Sequence, residues 1–95
     1  MAEIDIQPAG KGSGVARFHV TVREGNSISV HDVTVTDGDY RRMGKSFGSY
    51  EEFVQASFEF LLEREPKESI LSRFDISDIP RYFPEFERGM AGRRR

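Results

Sequence analysis

The segment Ser49 to Glu65, SYEEFVQASFEFLLERE, carries a start signal, one apolar face and a stop, so it dictates a helix around which the chain must fold. Ser49 followed three residues later by Glu52 reads as a capping box, in which each side chain takes the other's backbone amide. Tyr50, Phe53, Val54, Phe58, Leu61 and Leu62 recur at three- and four-residue steps and share one face. Glu51, Glu52, Gln55, Glu59 and Glu63 take the other. Pro66 biases Glu65 away from helical angles and closes the helix, predicted over 50–64.

Ahead of it lies a hairpin. Ala16, Phe18, Val20 and Val22 alternate with Arg17, His19, Thr21 and Arg23, which predicts a strand over 15–23. Glu24-Gly25-Asn26 reads as a short loop, with Gly25 or Asn26 free to take positive φ. In the second strand, 28–36, the apolar period slips: Ile28 and Val30 are even, Val33 and Val35 odd. A bulge near 31–32 would return all four to one face. Val22 would then oppose Ile28, Val20 Val30, Phe18 Val33 and Ala16 Val35.

Thr36 with Asp39 predicts a capped short helix over 37–43, and Gly44 to Gly48 a loop. Pro66 opens a second short helix, about 66–74. Ser77 is a cap candidate for a last one, about 78–83, which Pro84 ends. Residues 1–14, glycine-rich at Gly10 to Gly14, read as a flexible segment, with Ile4 and Ile6 as a candidate extra strand. From Arg88 on, the chain reads as a disordered basic tail. The expected fold is therefore a single α+β domain over 15–87, an antiparallel β-hairpin packed on the main helix and the short C-terminal helices.

The 95 residues are too few for a second core, and their hydrophobic share of 37% makes the one core thin. Eight Phe and three Tyr compensate, and a homodimer sharing the core is a natural expectation. Net charge is −2, distributed as 0 over residues 1–49, −6 over 50–87 and +4 over 88–95. That excludes a strong overall pull on nucleic acid. With no Cys there is neither a disulfide nor a thiolate metal site. The start MAEIDIQ has neither the basic region nor the apolar run of a secretory signal, and no stretch reaches membrane-spanning length. A cytoplasmic protein without membrane contact is expected.

The candidate sites are few. The polar hairpin face brings Arg17, His19, Thr21 and Arg23 beside His31, Asp32 and Thr34, and the bulged register sets His19 opposite His31. Two imidazoles and a carboxylate suit a divalent metal, but a third firm ligand is lacking, and a solvated sheet face is the simpler account. Gly44-Lys45-Ser46 fails as a phosphate loop because Asp39 stands where the leading glycine belongs. No spacing assembles a catalytic triad. No catalytic residue, metal or cofactor is expected, and Glu63, Glu65 and Glu68 read as solvated. The apolar run Ile70 to Phe86 either completes the core or leaves a docking patch of Ile79, Tyr82, Phe83 and Phe86 for a protein partner or a second copy.

The order strand, short helix, capped helix in VTVTDGDYRRMGKSFGSYEEFVQASFEFLLERE resembles the ribbon-helix-helix family of dimeric DNA-binding proteins. The resemblance implies an antitoxin-like regulator reading DNA with Arg17, His19, Thr21, Arg23, Arg41 and Arg42. The chain departs from the family in its short first helical segment, its extra strand and its acidic helical block. The run FEFLLEREPKESILSRFDISDIPRYFPEF is similar to stretches in small bacterial proteins of unassigned function. That implies a compact cytoplasmic bacterial protein and transfers no site. The expectation is thus a non-enzymatic interaction domain. A DNA-binding regulator is the first alternative, and an accessory subunit of an enzyme encoded elsewhere the second.

Overall fold

A computed structural model describes residues 2–93. Its frame is a four-stranded sheet in the order β1 (Glu3–Gly12), β2 (Val15–Glu24), β3 (Ser27–Thr36), β4 (Arg73–Asp75), with β1–β2 and β2–β3 antiparallel and β4 parallel to β3. Helices cover one face: α1 (Asp37–Asp39), which runs on into a π turn at Tyr40–Gly44, then α2 (Tyr50–Leu62), α3 (Ile79–Tyr82) and α4 (Phe86–Ala91). The α+β class expected from the pattern is the one observed.

The helix start is close to its prediction. Ser49 Oγ accepts the Glu52 amide at 3.1 Å. The reciprocal half differs: the Glu52 carboxylate takes the Gly48 amide, at 3.3 Å, instead of the Ser49 amide. Phe53, Val54, Phe58 and Leu61 are buried as their spacing requires, with Tyr50 and Leu62 half-buried. The helix also buries Ala56, Ser57 and Phe60, because α4 packs against it from a second side and sets Phe86 edge-on to Phe60 with ring centroids 5.1 Å apart. It ends at Leu62, short of the expected 64. Thr36 caps α1 as predicted, its Oγ1 taking the Asp39 amide at 3.0 Å.

The hairpin corrects the expected register. β2 and β3 pair without interruption from Val15↔Thr36 to Glu24↔Ser27, and there is no bulge near 31–32. Phe18 faces Val33 and Ala16 faces Val35, as predicted, but Val20 faces His31 and Val22 faces Ser29. Ile28 and Val30 turn to solvent, 55% and 48% exposed. The physical reason is that a buried histidine with two hydrogen bonds costs little: His31 meets Ser29 Oγ at 2.8 Å and the Leu71 carbonyl at 2.7 Å. A period of two then holds along all of β3, with Ser29, His31, Val33 and Val35 inward. Gly25, at φ 58, takes the first position of the two-residue loop, as a type II′ turn requires.

Other expectations are corrected as well. Residues 3–12, read as part of a flexible segment, form β1, with Ile4 and Ile6 packed on the core's edge and a register shift between Pro8 and Lys11. Alternation there outweighs glycine content because β2 supplies a full partner ladder. Residues 66–74 are not a helix: a 3-10 turn at Lys67–Ser69 leads into β4, where Asp32 donates its amide to the Ser72 carbonyl at 2.8 Å. The last expected helix, about 78–83, is present as α3, and only its start differs: a 3-10 turn at Ile76–Asp78 leads into it, capped by Asp75, whose carboxylate takes the Ser77 amide, and not by Ser77. From Arg88 the chain continues α4 instead of leaving the fold, anchored by fully buried Phe86 and Met90. Arg94 and Arg95 lie outside the described residues.

Candidate functional site

The chain after α2 folds back over the helix end and leaves a groove of about 380 Å³. Its base is apolar and fixed by the core: Leu61 comes from α2, Ile70 from the chain after the 3-10 turn, Phe74 from β4 and Ile79 from α3, each under a tenth exposed. Leu71 and Tyr82, also lining the groove, stand out at 51% and 67% exposed, and half-buried Phe83 joins them. A volume and lining of this kind match what small apolar side chains or ligands enter.

Two carboxylates line the groove, Glu65 and Asp78, and Asp78 is engaged: it takes the Asp75 amide at 3.0 Å and stands 3.8 Å from Arg81. Glu65 follows Leu61 by four residues, so it projects on the apolar side of the helix axis just past the helix end. Burial raises its carboxyl above the ordinary value. Among the described residues it forms no ion pair, whereas its neighbours do: Glu63 joins Arg64 at 3.3 Å and also Arg93, and Glu68 joins Lys67 at 2.7 Å. A partly desolvated carboxylate beside apolar walls favours a cation arriving with an apolar group.

The expected docking residues divide. Ile79 and Phe86 are core, 3% and 0% exposed, and Phe86 lies against Phe53 and Phe60, outside the groove lining. Tyr82 and Phe83 do reach the groove. The run Ile70 to Phe86 therefore both completes the core and offers a surface. Glu65 and Leu71 were missed. The signal for Glu65 was its place four residues after Leu61; Leu71 carried none, since its exposure depends on β4.

The expected nucleic-acid residues are also separated. Arg17, His19, Thr21 and Arg23 share the outer sheet face, but so do Glu3, Asp5 and Asp32. Arg23 stands 3.6 Å from Glu3, and His19 Nδ1 lies 2.6 Å from Asp32 Oδ1. Arg42 belongs to the helical layer, held by Asp39 at 2.8 Å and Glu87 at 3.9 Å, and Arg41 lies exposed in the π turn. His19 and His31 occupy opposite sheet faces, so the register that would have let them share a metal is absent. Among the described residues no cluster of three metal-ligating side chains occurs.

No protein-family model matches the chain, and no curated protein or solved structure matches it. No helix among the described residues is long and apolar enough to cross a membrane.

Proposed function

We propose that this domain works by binding: the groove between α2, β4 and α3 docks a segment of a partner protein that presents an apolar side chain next to a lysine or arginine. The observation that carries this reading is the half-buried Glu65 carboxylate, outside every ion pair among the described residues, in a groove bordered by exposed Leu71 and Tyr82. An aromatic and an aliphatic side chain held out from a rigid base are the anchors that protein interfaces use, and the carboxylate adds a charge preference. The sheet face, where carboxylates stand beside the arginines, supports DNA binding less well.

Fluorescence anisotropy with labelled leucine–lysine and leucine–glutamate peptides of equal length tests this. Saturable binding of the basic peptide, weakened at least several-fold by Tyr82→Ser or Leu71→Ser, is the expected result. Equal binding of both peptides, or none, would remove the proposal. Sedimentation alone and with duplex DNA separates the two remaining occupants, a second copy and nucleic acid.

A further inference from the structure

We propose that Ser29 is an activated nucleophile, able to take a neutral electrophilic acyl or phosphonyl group onto its Oγ. Ser29 and His31 lie two residues apart on the inward face of β3, opposite Val22 and Val20. The Leu71 carbonyl, 2.7 Å from His31 Nδ1, can only accept, so Nδ1 carries the hydrogen. With Nδ1 so engaged, Nε2 is the nitrogen left to accept, and Ser29 Oγ, 2.8 Å away, donates to it. Nucleophile, base and orienting acceptor are thus linked in series, the arrangement that activates a serine.

The surroundings favour this role. His31 is 2% exposed and packs on the Phe58 ring at 5.4 Å, which fixes the imidazole and keeps water from Nε2. Ser29 itself is half-buried and reachable from solvent. Other hydroxyls of the fold donate to weaker bases: Ser57 to the Phe53 carbonyl, Thr34 and Ser77 to Asp75, Ser27 to Glu68. Beside Ser29, at the hairpin end, Glu24 and Glu68 face the single ammonium of Lys67, at 3.4 and 2.7 Å. This negative balance selects against anionic donors. Ser29 sits within a paired strand, not on a sharp turn or a helix start, so the bare amides that cradle an oxyanion are not assembled around it. A retained adduct, one group per chain, is the product.

An alkyl fluorophosphonate provides the test. Ser29 Oγ attacks phosphorus, the P–O bond forms as P–F breaks, fluoride leaves, and the hydroxyl proton passes to His31 Nε2. Intact mass and peptide mapping of the folded full chain should show a single adduct on Ser29, formed about a hundred-fold faster than on exposed Ser46 or Ser72. Ser29→Ala should abolish it, and His31→Gln should slow it by about the same factor. If the histidine variant fails to fold, the rate at Ser29 against that at exposed Ser46 in the wild-type chain carries the comparison by itself. An absent Ser29 adduct, or labelling no faster than at Ser46, would overturn the proposal.

Discussion

His31 donates its Nδ1–H to the carbonyl of Leu71 at 2.7 Å, tying the middle of β3 to the chain just ahead of β4. This bond lets a polar ring occupy a core position, and it fixes the backbone of a residue that lines the groove. Replacing His31 by Ala leaves the Leu71 carbonyl unpaired and opens a void beside Phe58. A loss of about 2–4 kcal/mol in urea unfolding is expected. A loss under about 0.5 kcal/mol, the level of an ordinary surface change, would show that the ring is not buried as described.

Gly44 passes so close to α2 that a Cβ there would meet the Phe53 ring at 2.6 Å. Phe53 is fully buried among Phe47, Tyr40 and Phe86 and has nowhere to retreat. Gly44→Ala should therefore cost about 1–3 kcal/mol by overpacking, although alanine is the better helix former. Thermal unfolding of the variant checks this, and a raised melting temperature would contradict it.

Asp75 links β4 to the turn before α3. Burial works against its charged form, but hydrogen bonds from Ser77 and Thr34 outweigh it and hold the carboxyl below its ordinary value. A depressed folded value means the stabilisation is present above the unfolded carboxylate value, about 4, and is lost as pH falls through the folded value. Asp75→Ala should cost about 1–2 kcal/mol at pH 7 through the lost cap, and much less at about pH 2. Chemical denaturation at the two values measures the difference; an equal cost at both would refute the linkage.

Glu65 has the opposite sign. Its folded value is raised by burial, so ionising it with rising pH costs stability, and the penalty is complete above that raised value. Glu65→Gln should raise the melting temperature at pH 7 and leave it unchanged at about pH 3. The same change should weaken binding of a basic peptide. A carboxylate that costs stability but aids binding is the expected mark of a site and not of scaffold. Lowered stability of Glu65→Gln at pH 7 would argue for a structural role.

The parts of this fold that were legible in the sequence are those set by neighbours along the chain. Phe53, Val54, Phe58 and Leu61 share a face through helical geometry alone, and the Ser49 and Thr36 caps act over three residues. The hidden parts depend on distant partners. β4 is three residues long and exists only because Asp32, Val33 and Thr34 offer it a parallel edge. Ile28 and Val30 seemed to demand the core, yet the bond to Leu71, forty positions away, gave that place to His31. In α4, Phe86 and Met90 stand four residues apart, a helical signal obscured by the glycines and arginines around them. The groove follows the same division: Tyr82 and Phe83 were visible as surplus aromatics, whereas Glu65 took its meaning only once Ile70 and Ile79 closed around the helix end.

Amide chemical shifts of the isotope-labelled domain, followed during titration with the basic–apolar peptide, test the central claim most directly. Shifts concentrated at Glu65, Leu71, Tyr82 and Phe83, and lost in Tyr82→Ser, are what a docking groove predicts. Saturable shifts centred on Arg17, Thr21, Arg23 and Val30 would contradict it and move the site to the open face of the sheet.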